Sequence, residues 1–199
     1  MKLLSYFMKE FFVVNMYLIM FALIDLGVLC LGDDLIWLKL ILCGAVLVAF
    51  VIIVGLFIGK EAETAVRVRR GNDLNREHII KTGKDLPLNL AEEYKPWKGF
   101  AMGAMTCIPL LVFMGIQLLI KSPNPELNPG GAIAAFLYMV VFSFFRVDSR
   151  VDILPADYNY IFLAIPLLIL TVGISYIVGA KIATKKHERF LAGHRKTEK

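Results

Sequence analysis

Four long apolar stretches, at 11–31, 35–58, 99–120 and 158–180, alternate along this chain with charged segments. Each reaches the roughly 20 residues that a helix needs to cross the hydrocarbon core of a bilayer. The last two contain no charged side chain. Only helices and closed barrels satisfy their backbone groups inside lipid. The pattern therefore predicts an all-α integral membrane protein with four transmembrane helices. A fifth apolar stretch, 131–145, is too short for a full crossing. Pro-rich 121–130 precedes it, and Arg146, Asp148, Arg150 and Asp152 follow. It has no polar face with which to lie on a membrane surface, so a short re-entrant or buried helix is expected there.

The polar remainder is an inner loop at 60–98 and a basic tail at 181–199. The loop falls below the size at which a domain usually folds alone, so 1–199 reads as one membrane domain. Within the loop, the second span is expected to continue as a helix through Arg70 and stop at Gly71-Asn72-Asp73. A separate short helix at 74–82 would then be capped by Asp73 and ended by Gly83. The N-terminal apolar run is too long for a signal peptide core and lacks a small-residue cleavage site, which marks it as a retained span. Asp33-Asp34 makes a tight turn, so the first two spans are expected to be antiparallel neighbours.

Composition agrees: 58% of the 199 residues are hydrophobic and the mean hydropathy is +0.67. The net charge is +5, and its distribution carries the information. With four spans, 18 Lys and Arg fall on the side of the N-terminus, the inner loop and the tail, against 4 on the other. A fifth span at 131–145 would make the split 13 against 9. The positive-inside rule favours four spans, with both termini cytoplasmic. The basic excess is thus topological and does not point to nucleic acid. Trp37, Tyr94 and Trp97 fall at span ends, where amphipathic rings prefer to sit.

The stretch from Gly59 to Pro109 carries a likeness. Gly59 closes a span, a charged segment runs through Asn72 and Asn75, Lys98-Gly99 and Gly103 open the next span, and Pro109 lies within it. This resembles small multi-pass membrane proteins of clostridial-type bacteria. The resemblance implies a bacterial plasma membrane and supplies no activity, ligand or catalytic residue.

Polar groups inside the spans are the candidates for chemistry. Asp25 in the first span and Lys39 in the second lie at similar depths and form an ion-pair candidate; an ionisable group there is a functional hypothesis by default. The alternative is a structural pair near the interface, with Lys39 reaching outward. Asn15 and Gln117 are expected to hydrogen-bond between helices. Gly55-x-x-x-Gly59 and Gly99-x-x-x-Gly103 would let the second and third helices approach closely, or form an oligomer face. Pro109 and Pro166, each within Ile-Pro-Leu-Leu, are expected to kink the third and fourth spans. Arg67, Arg69, Arg70, Lys185, Lys186 and Arg189 are candidates for anionic lipid headgroups. His187 and His194 lie in the charged tail and read as solvated.

No cofactor or metal site is expected. Cys30, Cys43 and Cys107 lie in or beside apolar runs and have neither disulfide nor metal spacing. No nucleophile elbow, zinc-protease motif or phosphate loop is present. The expectation is a non-enzymatic accessory or assembly subunit that acts through a membrane-protein partner or a second copy. A small-solute transporter or transporter component is the alternative.

Overall fold

The computed structural model describes residues 2–31, 35–119, 129–145 and 162–197. Among these the elements are α1 (Lys2–Leu29), α2 (Ile36–Thr82), α3 (Pro96–Thr106), α4 (Ile108–Leu119), α5 (Pro129–Leu137), α6 (Met139–Phe145) and α7 (Ala164–Thr197), with no strand. Four helical stretches are long and apolar enough to cross a membrane: Leu3–Leu29, part of Ile36–Thr82, Pro96–Ile116 and Ala164–Ala192. The chain is an all-α multi-pass membrane protein. Large apolar side chains on its outer faces, Phe12, Met16, Leu23, Ile41 and Leu56 among them, are exposed as contact with lipid requires.

α2 differs most from expectation. It is one helix of 47 residues, about 70 Å long at 1.5 Å per residue. It runs straight through Gly71-Asn72-Asp73, where a stop was predicted. A glycine inside a helix costs about 1 kcal/mol against alanine. Tertiary contacts offset that cost, because the Asn72 amide is used elsewhere. Its Nδ2 donates to the Asn89 carbonyl at 3.1 Å and to Glu93 at 3.0 Å, and its Oδ1 accepts the Asn89 N–H at 3.0 Å. Gly83 does end the helix, at φ 67° with its N–H returned to the Ile79 carbonyl, as a left-handed glycine cap does.

The segment 83–95 folds back along α2 as a strap. Tyr94 N–H reaches the Ala65 carbonyl at 3.1 Å. Pro96 then opens α3 at its first turn, where its missing N–H costs nothing. The third span breaks at Cys107, two residues before Pro109, as proline predicts. The Tyr138 hydroxyl, from between α5 and α6, mends the break by donating to the Thr106 carbonyl at 2.7 Å and accepting the Leu110 N–H at 3.3 Å. Pro166 has no such effect. It lies in the first turn of α7, where proline is tolerated.

α7 packs along both α2 and α3. α1 lies antiparallel to α2, with Tyr17 against Phe57 and Phe21 against Phe50. Gly55 faces Ser175 and Gly59 faces Gly179, so α2 and α7 run parallel. The start of α1, the far half of α2, the strap, the start of α3 and the end of α7 therefore share one end of the bundle. α5 and α6 pack against α1, α2 and α4, with Ala134, Ala135, Tyr138, Val140, Val141 and Ser143 buried. The turn at Asp33-Asp34 and the outer acids Glu126, Asp148, Asp152 and Asp157 lie outside the described residues, as do the side chains of Gln117 and His194.

Candidate functional site

The buried face of α1 reads Phe7, Glu10, Val14, Leu18, Phe21, Ala22 and Asp25. This is the i, i+3, i+4 stripe of a helix facing a core, except that it begins and ends near a carboxylate. Both Glu10 and Asp25 have 0% of their surface exposed. Fifteen residues apart, they are separated by about 22 Å along the axis.

Glu10 lies at the shared, charged end. Neither of its oxygens has a hydrogen-bond partner, and the buried hydroxyls of Tyr6 and Tyr176 also have none. Lys9 Nζ is 3.5 Å from Glu10, but its closer bond, at 2.9 Å, goes to Glu61 on α2. Tyr6 is one turn before Glu10, and Tyr176 stacks on Tyr94 with ring centroids 5.4 Å apart. Lys98 stands 5.7 Å over the Tyr6 ring, and its Nζ donates to the carbonyls of Leu90, Ala91 and Glu93. A cleft of about 1210 Å³ opens beside this cluster, lined in part by Tyr6, Lys9, Glu61 and Glu92. Glu10 itself is not among the residues that line the cleft, although its neighbours Tyr6 and Lys9 are. Glu10 is not among the sequence candidates, because it lies just before the first apolar run; the structure buries it.

Asp25 lies toward the opposite end. Its Oδ2 accepts the Ser143 hydroxyl of α6 at 3.0 Å, and its Oδ1 has no partner. Cys43 interacts with Asp25, Ser143 and Lys39 together, so all four side chains share one neighbourhood. Lys39 is itself buried. Among the described residues, the ion pairs do not include Asp25 with Lys39. The sequence pairing missed Ser143 because 131–145 carried no sign of which face would meet α1. Asn15 likewise bonds within its own helix, to the Phe11 carbonyl at 2.9 Å, and not between helices as expected.

The glycine motifs also meet a different partner. A Cβ on Gly99 would lie 2.6 Å from that of Tyr176, and one on Gly103 would lie 2.7 Å from the Ile169 backbone. Gly55 and Gly59 face Ser175 and Gly179. Both motifs thus pack on α7, not on each other, and α7 answers with small residues of its own. Ser175, Gly179 and Ala183 are the signal that the sequence reading passed over: a small-residue stripe at four-residue spacing, with Gly173 facing Phe100 of α3 separately.

At the charged end, the headgroup candidates divide between two clefts flanking the α2–α7 contact. Arg69, Arg70 and Lys185 line one of about 540 Å³; Arg67, Arg70 and Lys186 line the other, of about 460 Å³. Arg67 is held by Glu63 at 2.7 Å. Arg189 is exposed on the same helix as Lys185 and Lys186 and lines neither cleft. The strap is pinned by Glu93. Burial pushes its carboxyl up, but the Asn72 amide and the Arg76 guanidinium, at 3.0 Å each, outweigh this and hold it below the ordinary value.

No His, Cys, Asp and Glu group of three or more converges as a metal site among the described residues. Comparison with family models, curated proteins and solved structures finds no match in any of the three. The fold and its buried groups define a class: a multi-pass helical membrane protein with buried carboxylates near both ends of its first helix.

Proposed function

We propose that this protein is an accessory or assembly subunit of a bacterial plasma membrane that acts through other membrane proteins and has no catalytic turnover of its own. Both termini and residues 60–98 face the cytoplasm, and the basic end favours an anionic leaflet. The partner is a membrane protein or a second copy of this chain. The supporting observation is the projection of α2 and α7. Past Gly59, α2 continues for about 35 Å, with α7 packed along its side. On this projection Leu74 and Ile80 are 67% and 83% exposed, beyond the reach of lipid. Six residues apart, they stand about a third of a turn from each other around the helix, so a docking edge that includes both wraps that far around α2.

The test is recovery of a stoichiometric partner from native membranes with the full chain and with a Leu74→Glu/Ile80→Glu variant. The partner is expected with the first and lost with the second, while both keep the same melting temperature. A partner retained by the variant, or none with either chain, would overturn the docking edge. Reporter fusions at Lys199 and near Asn124 test the orientation, and an external signal at Lys199 would overturn it.

The buried acids of α1 favour a second reading, a component of a small-solute transporter. Uptake by the reconstituted protein alone, lost in Asp25→Asn, would support it over the first.

A further inference from the structure

The parallel packing of α2 on α7 brings together four cations that lie far apart in sequence. Arg69 and Arg70 of α2 and Lys181 and Lys185 of α7 line one groove with Thr184. Among the described residues, none of the four cations is in an ion pair. Other basic groups nearby are occupied: Arg67 by Glu63, Arg76 by Asp73 and Glu93, Lys9 by Glu61. Two acids, Asp73 and Glu188, also line the groove, and Arg76 holds Asp73 at 2.9 Å.

The level of the groove matters as much as its charge. Lys181 and Lys185 lie about 3 and 9 Å past Gly179 along α7. Gly179 meets Gly59, where the apolar run of α2 gives way to Lys60. The polar layer of a bilayer is about 5–8 Å deep on each side. Ala180 and Lys181 therefore lie among headgroups. Val66 stands about 10 Å and Arg69 and Arg70 about 15–16 Å past Gly59 along α2, with side chains that tilt back toward the helix N-terminus and so toward the membrane. A lipid phosphate at the outer edge of the headgroup layer meets Lys181 and Lys185 directly and the two arginines at full reach.

We propose that this groove seats the phosphate of an anionic phospholipid headgroup from the adjacent leaflet. The proposal rests on the reading of this end as the membrane-proximal basic end, and it adds a defined site to the general attraction of basic residues for anionic lipid. Arginine suits the role because its planar fork binds phosphate oxygens in pairs. Thr184 already donates to the Ala180 carbonyl at 3.0 Å, so it serves as a wall and not as a donor.

Native mass spectrometry of the detergent-purified full chain, with phosphatidylglycerol or phosphatidylcholine added, tests this. A phosphatidylglycerol adduct is expected at markedly lower concentration than a phosphatidylcholine one. Near a surface each basic residue contributes about fivefold in affinity. Arg69→Ala/Lys185→Ala should therefore weaken the phosphatidylglycerol adduct on the order of tenfold or more, and Lys81→Ala/Lys84→Ala, equal in charge and outside the groove, should leave it unchanged. An equal loss in both variants would reduce the effect to bulk charge and overturn the site. Equal binding of the two lipids would also overturn it. Soluble glycerol phosphate binding as tightly as the lipid would overturn the headgroup assignment. Melting temperatures within a degree or so of the parent chain confirm that the variants fold.

Discussion

The two ends of α1 present the same problem with different solutions. Each buries a carboxylate on the same helical stripe. Asp25 receives a hydroxyl from Ser143, whereas Glu10 receives no hydrogen bond from protein and only a loose approach by Lys9. Helix periodicity accounts for the burial of both, because each lies in register with Val14, Leu18 and Phe21. The partner is set by which element packs opposite. At the Asp25 end that element is α6, which brings a hydroxyl. At the Glu10 end the packed elements bring the Tyr176 phenol from α7 and, from α2, a second carboxylate already paired with lysine, beside α1's own Tyr6.

The largest expected effect would break one end and spare the other. A Cβ on Gly179 would lie 2.5 Å from the Gly59 Cα and carbonyl oxygen, and backbone atoms cannot move aside as a flexible side chain can. Gly179→Val should force α7 off α2 and destabilise the protein by about 3 kcal/mol, the upper range for overpacking. Tyr176 sits one turn away, so the Glu10 cluster should open while the Ser143–Asp25 contact survives. Thermal unfolding in detergent checks the first part, and cysteine accessibility at position 10 against position 25 checks the second. Gly115→Ala, where nothing lies within 4 Å of the added atom, is the control and should be silent. Equal losses in both would refute the packing argument.

Next comes the donor at Asp25. Ser143→Ala leaves the buried carboxylate only the weak Cys43 thiol as a donor, which costs about 1–3 kcal/mol. Glu10→Leu should go the other way, raising stability by about 1 kcal/mol, because replacing a poorly paired buried charge with an apolar group is often stabilising. Lys9 retains Glu61 in that variant. Denaturation of the two variants side by side tests the contrast itself. A loss of 2 kcal/mol or more in Glu10→Leu would mean that Glu10 is as well satisfied as Asp25, and the comparison would fail.

Much of the architecture was legible in the residues. The four spans, the buried short segment, the break at Pro109 and the cap at Gly83 all follow from apolar run length and from the backbone limits of proline and glycine. The partnerships were not. Ser143 for Asp25, α7 for both glycine motifs and Tyr138 for the broken helix are each decided by packing between elements far apart in sequence. Local signals misled where packing overrode them: Gly71-Asn72-Asp73 has the composition of a helix end, but Asn72 is held by the strap. Glu10 illustrates a subtler limit. It lies one residue before the first apolar run, and its register with Val14 and Leu18 places it on the buried face.

The smallest effect sharpens the comparison with a third carboxylate, one that is fully partnered. Glu93 lies in the strap outside the spans and accepts from Asn72 and Arg76. Burial alone would raise its value, but the Asn72 and Arg76 bonds prevail and lower it from 4.5. A carboxyl whose folded value is depressed contributes stability above its unfolded value and loses it as pH falls through the folded one. Strap docking should thus be intact at neutral pH and weaken only below about 4.5. Carbon-13 NMR of the labelled Glu93 carboxyl should place its midpoint below that of a free glutamate. Asn72→Ala and Arg76→Ala should each move the midpoint upward, because each removes a group that favours the ionised form. A midpoint at or above the free value in the parent chain would show that burial wins at Glu93 as well. The presence of good partners would then no longer separate the strap from the Glu10 end.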